Sequence, residues 1–515
     1  MNRQRTRKIK KAGNGMTRTA ICLLAGSMAG GLTGCGAGAA GTDAKEPFTP
    51  QIVGTYEAED ARFIGNVHAA SSRSGYSGTG YATGFDSESD GVAFSISVEE
   101  TGFYDLVFSS AASDYKENRV FVDGVGYGEV ITAEKDFAES TVTRVYLENG
   151  EHEVSVMGYW CYIDLDKVTV QTAEPLSEDA FAVSAKLADP LATDSAKRLM
   201  SYLADSYGQV VLSGQYCDTG SLGKEFQAVK KVNGNLTPAV LGLDFIEYSP
   251  SRVENGSTSR ATDFAKSFWE NGGIVTFCWH WNAPSKYLTG AWYSGFYKEH
   301  TNIDLDKIMN GEDPEGYDLL MQDIDAIAQQ LLILQEADVP IIWRPLHEAS
   351  GGWFWWGDCS AESYKKLYIT LFEKLTGEYG IHNLIWLWNG QSAAWYPGDA
   401  YVDMIGWDIY PGEHEYGSQI GTFIKASKCS TDRKIITLSE NGCVPDPELL
   451  KRDGAMWSFW CTWGGEFVKG TSNFASYSDQ YTEGEKLAEF YANPLVITQD
   501  ELPDLKTYPI REDAK

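Results

Sequence analysis

The 515-residue chain is poor in the residues that hold metals or staple small folds, with 9 Cys and 7 His. Cys22 and Cys35 fall in a leader-like N-terminal segment. The seven that remain form no C-x-x-C pair and no metal-finger spacing, and their odd number excludes a complete disulfide framework. They read as small buried apolar side chains. No H-E-x-x-H spacing and no Gly-rich phosphate loop occurs, which removes zinc peptidase and nucleotide-dependent chemistry from consideration. Positive charge is also scarce: 42 Lys and Arg face 72 Asp and Glu, for a formal charge of −30. Such a surface repels phosphate backbones and anionic headgroups, so nucleic acid and polyanions are excluded as partners, whereas a neutral polymer is compatible. Beyond the leader there is no run of 18 apolar residues, hence no expected membrane span.

Aromatics are plentiful, with 16 Trp and 28 Tyr. They could fill a core or stack on the flat apolar faces of sugar rings, and composition does not choose between the two. At this length two domains are expected.

Residues 1–34 read as a processing segment, outside the fold. A basic stretch from Arg3 to Arg18 precedes an apolar run and the sequence Leu32-Thr33-Gly34-Cys35, which resembles the bacterial lipoprotein cleavage box. Lipidation at Cys35 would anchor a secreted chain to a membrane at the cell surface, with residues 35–52, rich in Gly and Ala, as a flexible tether. Residues 1–34 carry seven Lys or Arg and no acid, so removing them takes the charge from −30 to −37. The chain is expected to act as a monomer.

Residues 53–172 show short alternating runs, such as Val92-Ala93-Phe94-Ser95-Ile96-Ser97-Val98, punctuated by glycine. A β-sandwich is expected. Tyr56-Glu57-Ala58-Glu59 puts two carboxylates on one face of a strand, and Ile163-Asp164-Leu165-Asp166-Lys167-Val168 closes the domain. Hard oxygen ligands gathered by two terminal strands suit calcium. These two ends, with Gly80-Tyr81-Ala82-Thr83-Gly84-Phe85, resemble the family 35 carbohydrate-binding modules. The resemblance implies a structural calcium on Glu57, Glu59 and Asp166, and sugar contacts in variable loops, where Trp160 and Tyr162 are candidates.

From about residue 190 to 495 apolar strands alternate with amphipathic helices. Eight strands are expected, at 210–212, 239–243, 274–278, 340–343, 384–387, 404–407, 435–438 and 456–460, with 496–515 as a C-terminal tail. This pattern predicts a (β/α)8 barrel, with a doubly wound open sheet as the runner-up. In such barrels the site lies at the C-terminal strand ends. Those ends carry Trp279-His280-Trp281, Arg344-Pro345-Leu346-His347-Glu348, Trp388-Asn389, Trp407-Asp408-Ile409-Tyr410, Ser439-Glu440-Asn441-Gly442 and Trp460-Cys461-Thr462-Trp463. Hydrolysis of a glycosidic bond needs two carboxyl groups across it. Glu348 and Glu440, on the fourth and seventh strands, face each other across the expected barrel mouth.

This part resembles glycoside hydrolase family 26, most specifically in Arg344-Pro345-Leu346-His347-Glu348 with Gly352-Trp353-Phe354-Trp355-Trp356-Gly357. The resemblance implies a retaining endo-β-1,4-mannanase with Glu348 as acid/base and Glu440 as nucleophile. It further implies that His280, Trp281, His347, Trp353, Asp408, Tyr410 and Trp463 contact or shape the substrate site, with Tyr410 bonded to the nucleophile and Trp463, rather than Trp460, under the reactive sugar. No cofactor is expected for catalysis. The alternatives are a mixed-linkage β-glucanase or β-1,3-xylanase of the same family, or a non-catalytic surface glycan-binding lipoprotein.

Overall fold

The computed structural model describes residues 48–218, 223–470 and 476–515. The expected leader, the Cys35 anchor and most of the tether lie outside the described residues.

Residues 52–172 form two antiparallel sheets packed face to face. One joins Ile52–Glu57, His68–Ala70, Tyr81–Thr83, Gly102–Ala111, Ala138–Leu147 and Asp164–Thr172; the other joins Arg62–Ile64, Gly91–Val98, Lys116–Val122, Val125–Thr132 and Gly150–Gly158. The period of two explains the layers. In Gly91–Val98, Phe94, Ile96 and Val98 are buried while Ser95 and Ser97 face solvent, and the buried set meets Leu106, Phe108, Val154 and Val168 from the other strands. Each such side chain contributes about 1.5–3 kcal/mol on burial. Asp123 and Gly124, at φ 51° and 84°, make the tight turn between Lys116–Val122 and Val125–Thr132. An Asp-Gly pair suits this turn because both central residues need positive φ.

The second part is a closed barrel of eight parallel strands: β1 (Gly214–Tyr216), β2 (Val240–Asp244), β3 (Ile274–Cys278), β4 (Ile341–Arg344), β5 (Leu384–Trp388), β6 (Met404–Ile409), β7 (Ile435–Asn441) and β8 (Trp460–Thr462). The ring closes where Gln215 pairs with Thr462. Buried on both faces, β3 and β5 are continuously apolar or small, as strands between a filled interior and a helical layer must be. A Cβ on Gly242 would sit 2.6 Å from the Tyr216 ring, so glycine in β2 is what admits that ring between β1 and β2.

The longest helix, Pro314–Glu336, starts with the Asp313 carboxylate accepting from the Gly316 N–H at 2.9 Å and a proline at its first position, a strong start signal. Its buried Leu320, Ile324, Ile327, Leu331 and Leu334 fall at helical spacing and cover the barrel. Ser360 caps Ala361–Glu373 through the Ser363 N–H.

Two segments differ from the sequence expectation. Residues 211–212 do not enter the barrel; Val211–Leu212 pairs in parallel with Val496–Ile497 in a separate small sheet, and β1 begins two residues later. The last strand likewise lies at Trp460–Thr462 rather than 456–460. The C-terminal residues pack on the first barrel helix, Asp194–Ser206: Arg198 donates to the Tyr508 carbonyl at 2.7 Å, the Arg511 N–H to Ser201 at 3.0 Å, and the Ala185 N–H to Asp513 at 3.0 Å.

The sandwich is fixed against the barrel. Helix Ile420–Ser427 packs on Val125–Thr132 and Ala138–Leu147. Arg452, in helix Pro447–Asp453, donates to the Tyr127 hydroxyl at 3.0 Å and lies 4.6 Å from the Tyr146 ring centre. Arg119 pairs with Glu415 at 3.7 Å.

Candidate active site

The C-terminal end of β4 breaks sharply. Leu346 and Glu348 both take left-handed φ, 52° and 55°, which costs a non-glycine residue of order 1 kcal/mol or more. Three bonds hold the break: Tyr364 donates to the Leu346 carbonyl at 3.1 Å, Trp356 to the His347 carbonyl at 2.8 Å, and the Glu348 N–H to the Asn389 carbonyl at 2.7 Å. The turn sends His347 into the buried layer and the Glu348 carboxylate toward the mouth.

Glu440 comes from β7 on the facing side. One oxygen each of Glu348, Asp408 and Glu440 lie within 4.8 Å of one another. Three carboxylates so close require a countercharge, and Arg344 supplies it from β4. Its fully buried guanidinium donates to Glu440 at 2.5 Å, to Asp408 and to the Tyr216 hydroxyl at 3.1 Å. Tyr410 donates to the other Glu440 oxygen. Burial, reinforced by Glu440 and Glu348, keeps the Tyr410 phenol well above its usual range, so it remains a donor. Asp408 also accepts from Asn389 at 2.7 Å and Ser439 at 2.8 Å. Its role is to hold Arg344 from below.

The two catalytic-type carboxylates therefore differ in surroundings. Glu440 is served by a cation and a phenol. Glu348 is pushed well above the usual carboxylate range, first by burial and then by Asp408 and Glu440, against the pull of Arg344 and of the Trp353 indole. Trp353 donates to Glu348 at 2.8 Å. One carboxyl bound by a cation and a phenol, beside one whose affinity for its proton is raised, is the division of labour that acid-assisted bond cleavage requires.

A histidine pair follows β3 and β4. His280 Nδ1 meets Asp244 at 2.6 Å, and its Nε2 faces His347 Nε2 at 3.2 Å. Burial, Arg344 and His280 depress His347 well below the usual imidazole range, so it is neutral. The Trp463 ring lies 5.6 Å from His280 and 4.8 Å from Tyr216 and is half-buried. Trp460, by contrast, is fully buried, so of the two only Trp463 is accessible.

Trp281, expected along the groove, lies elsewhere. It is fully buried, stacked on Trp279 at 4.1 Å, and donates to Asp323 at 2.7 Å. Successive residues past the end of β3 point to opposite sides, so His280 faces the mouth while its two tryptophan neighbours face the helical layer. His347 is also buried, with its Nε2 against His280. Tyr216 and Asp244, which the sequence reading did not single out, complete the ring. Both sit at strand ends, the one signal that could have found them.

Among the described residues, two groups have the composition of metal sites. In Asp244, Cys278 and His280, the thiol is pushed well above its usual range by burial, and the Asp244 carboxylate already engages the imidazole. In Glu348, Asp408 and Glu440, Arg344 already occupies the position of the positive charge. In the sandwich, Ser77 donates to Glu57 at 2.7 Å and its N–H to Asp166 at 2.7 Å, while the Thr79 and Gly80 N–H groups reach one oxygen of Glu59. The other Glu59 oxygen is buried without a hydrogen-bond partner. Trp160, also in the sandwich, is half-exposed beside Tyr115 and Tyr159.

Residues 188–501 match the model of glycosyl hydrolase family 26. The chain belongs to glycoside hydrolase family 26. Residues 54–173 match the family 35 carbohydrate-binding module. Similar proteins include a mannan endo-1,4-β-mannosidase of Thermothelomyces thermophilus, 36% identical over 496 residues, which span 95% of this chain and 99% of that protein. Another is mannan endo-1,4-β-mannosidase B of a Piromyces species, 33% identical over 87% of this chain and 77% of that protein. Among solved structures, a Podospora anserina β-(1,4)-mannanase with the same two modules superposes with a TM-score of 0.61 and 36% identity, covering 89% of this chain and 99% of that one.

Proposed function

We propose that the chain is a retaining endo-β-1,4-mannanase that cleaves β-mannan by double displacement. The observation that carries the mechanism is the close approach of two unlike carboxyls, Glu348 and Glu440, within 4.8 Å. Retaining enzymes hold their pair about 5–5.5 Å apart, whereas inverting enzymes need about 6.5–9.5 Å to admit water. The names of the relatives support the substrate.

In the first step a Glu440 oxygen attacks the anomeric carbon of a sugar resting on Trp463. The bond to the glycosidic oxygen breaks, and Glu348 donates its proton to that oxygen as it leaves. Arg344 and Tyr410 each bind one oxygen of the attacking carboxylate and aim it. Once Glu440 is esterified its charge is gone, one of the influences that raised Glu348 is removed, and Glu348 remains as a carboxylate. It then takes a proton from water, whose oxygen attacks the same carbon and frees Glu440. Two inversions give net retention.

The test is product release from glucomannan, galactomannan, mixed-linkage glucan and xylan, with NMR of the first anomer formed. Manno-oligosaccharides of retained β configuration, absent with Glu440→Ala, are the expected result. Cleavage of glucan or xylan alone would overturn the substrate, and an initially inverted anomer would overturn the mechanism.

The binding module fits a calcium ion held by Glu57, Glu59 and Asp166. The support is the donor set of hard oxygens and the unpartnered, buried Glu59 oxygen. Such an ion would tie the first and last strands of the sandwich together. The lipoprotein box at Leu32-Thr33-Gly34-Cys35 supports anchoring at a cell surface, testable by fatty-acid labelling that Cys35→Ser abolishes.

A further inference from the structure

Five partly exposed aromatic side chains gather around one cavity. It has a volume of about 570 Å³ and is bounded by Tyr115, Tyr159 and Trp160 of the sandwich and by Trp353, Gln391 and Tyr410 of the barrel mouth. The five aromatics are between 39% and 52% exposed. Exposed aromatic clusters on a folded protein mark binding surfaces, and this volume is that of a ligand site. The cavity adjoins the catalytic centre: of its lining residues, Trp353 bonds Glu348 and Tyr410 bonds Glu440.

Its direction follows from the chemistry. The attacked sugar lies over Trp463, and Glu348 protonates the oxygen that departs. The departing part of the polymer therefore extends past Glu348, away from Trp463. The cavity lies on that side, and neither Trp463 nor His280 lines it. We infer that the sandwich forms the far wall of the active-site cleft, and that Trp160 with Tyr115 binds sugar units of the leaving, reducing-end portion of a β-linked neutral polysaccharide during cleavage. The contacts at Arg452–Tyr127 and Arg119–Glu415 hold this wall in register with the catalytic pair. Uncharged aromatic faces suit sugar rings, and the rim groups Glu117, Arg119 and Gln391 can hydrogen-bond their hydroxyls.

The inference rests on the proposed hydrolytic activity. It is tested with the full chain and its Trp160→Ala and Tyr115→Ala variants on a ladder of manno-oligosaccharides, three to seven units long, labelled with 18O at the reducing end. For each variant the ratio of kcat/KM on the longest to that on the shortest cleaved member should fall about 5- to 10-fold, the worth of one aromatic contact. The cleavage point should also move toward the reducing end, leaving fewer units on the far side of the cut. Wild-type ratios and cleavage points, or a loss equal at every length, would overturn the inference while leaving the mannanase reading standing. Failure of the wild type to cleave any member would overturn that reading, and this inference with it.

Discussion

Replacing Trp353 with Phe removes one hydrogen bond and keeps an aromatic face. The indole N–H donates to Glu348 at 2.8 Å and can only donate, so it favours the carboxylate over the carboxylic acid. It is one of the influences that pull Glu348 down from the height set by burial, Asp408 and Glu440. Hydrogen bonds to charged groups contribute about 1.5–3 kcal/mol. Because Trp353 is 42% exposed, solvent screening reduces this to about 1 kcal/mol, equivalent to about 0.7 of a pH unit. In Trp353→Phe the acid therefore keeps its proton to higher pH. The alkaline limb of the kcat/KM profile should move up by about 0.7 unit while the acid limb stays. Initial rates on a soluble manno-oligosaccharide between pH 4 and 10 give both limbs. An alkaline limb that stays put or moves down would refute the assignment of Glu348 as the proton donor set by this bond.

Arg344→Met would leave Asp408 and Glu440 buried without their cation; a loss of about 3–5 kcal/mol in barrel stability and of at least about 10³-fold in kcat is expected from denaturation and rate measurements. Tyr410→Phe keeps Arg344 on the nucleophile and should lower kcat by about 10²-fold with the melting temperature little changed. Asp323 is pushed up to about 8 by burial, against the Trp281 indole. The folded chain thus holds a proton that the unfolded chain loses near pH 4, and wild-type stability falls as pH rises from about 4 to about 8. Asp323→Asn should abolish this slope, gaining about 1–3 kcal/mol at pH 8 and nothing at pH 4, and an equal difference at both pH values would contradict it. A calcium chelator should lower the melting transition of the sandwich and leave the barrel's own transition and its activity on short oligosaccharides in place, whereas two unshifted transitions would remove the ion from Glu57, Glu59 and Asp166.

The barrel was legible where burial on both faces writes itself as an unbroken apolar run, as at Ile274–Cys278. It was misread at β1, where Gly214-Gln215-Tyr216 is small, polar and aromatic and the more apolar Val211–Leu212 lies beside it. Gly214 is required there by the closing strand, since a Cβ would meet the Trp460 carbonyl oxygen at 2.3 Å, a constraint imposed by a residue nearly 250 positions away. Misplacing β1 also hid Tyr216. At the mouth, spacing put Glu348, Asp408, Tyr410 and Glu440 on strand ends, but past β3 the regular alternation ends and sequence could not tell which of His280 and Trp281 turns inward. The shared cleft was illegible altogether. It depends on Tyr127 meeting Arg452, 325 residues apart, and no local pattern encodes that contact.

The pairing of Val211–Leu212 with Val496–Ile497, together with the docking of Tyr508, Arg511 and Asp513, brings the start and finish of the catalytic unit side by side. Cutting the chain at 495 would strip the cover from Tyr202 and Leu212 and give an aggregation-prone fragment, so an isolated catalytic part must be taken to residue 515. The same proximity makes the unit a good subject for circular permutation, with a short bridge across the old ends and new ends opened in an exposed loop on the face opposite the carboxylates.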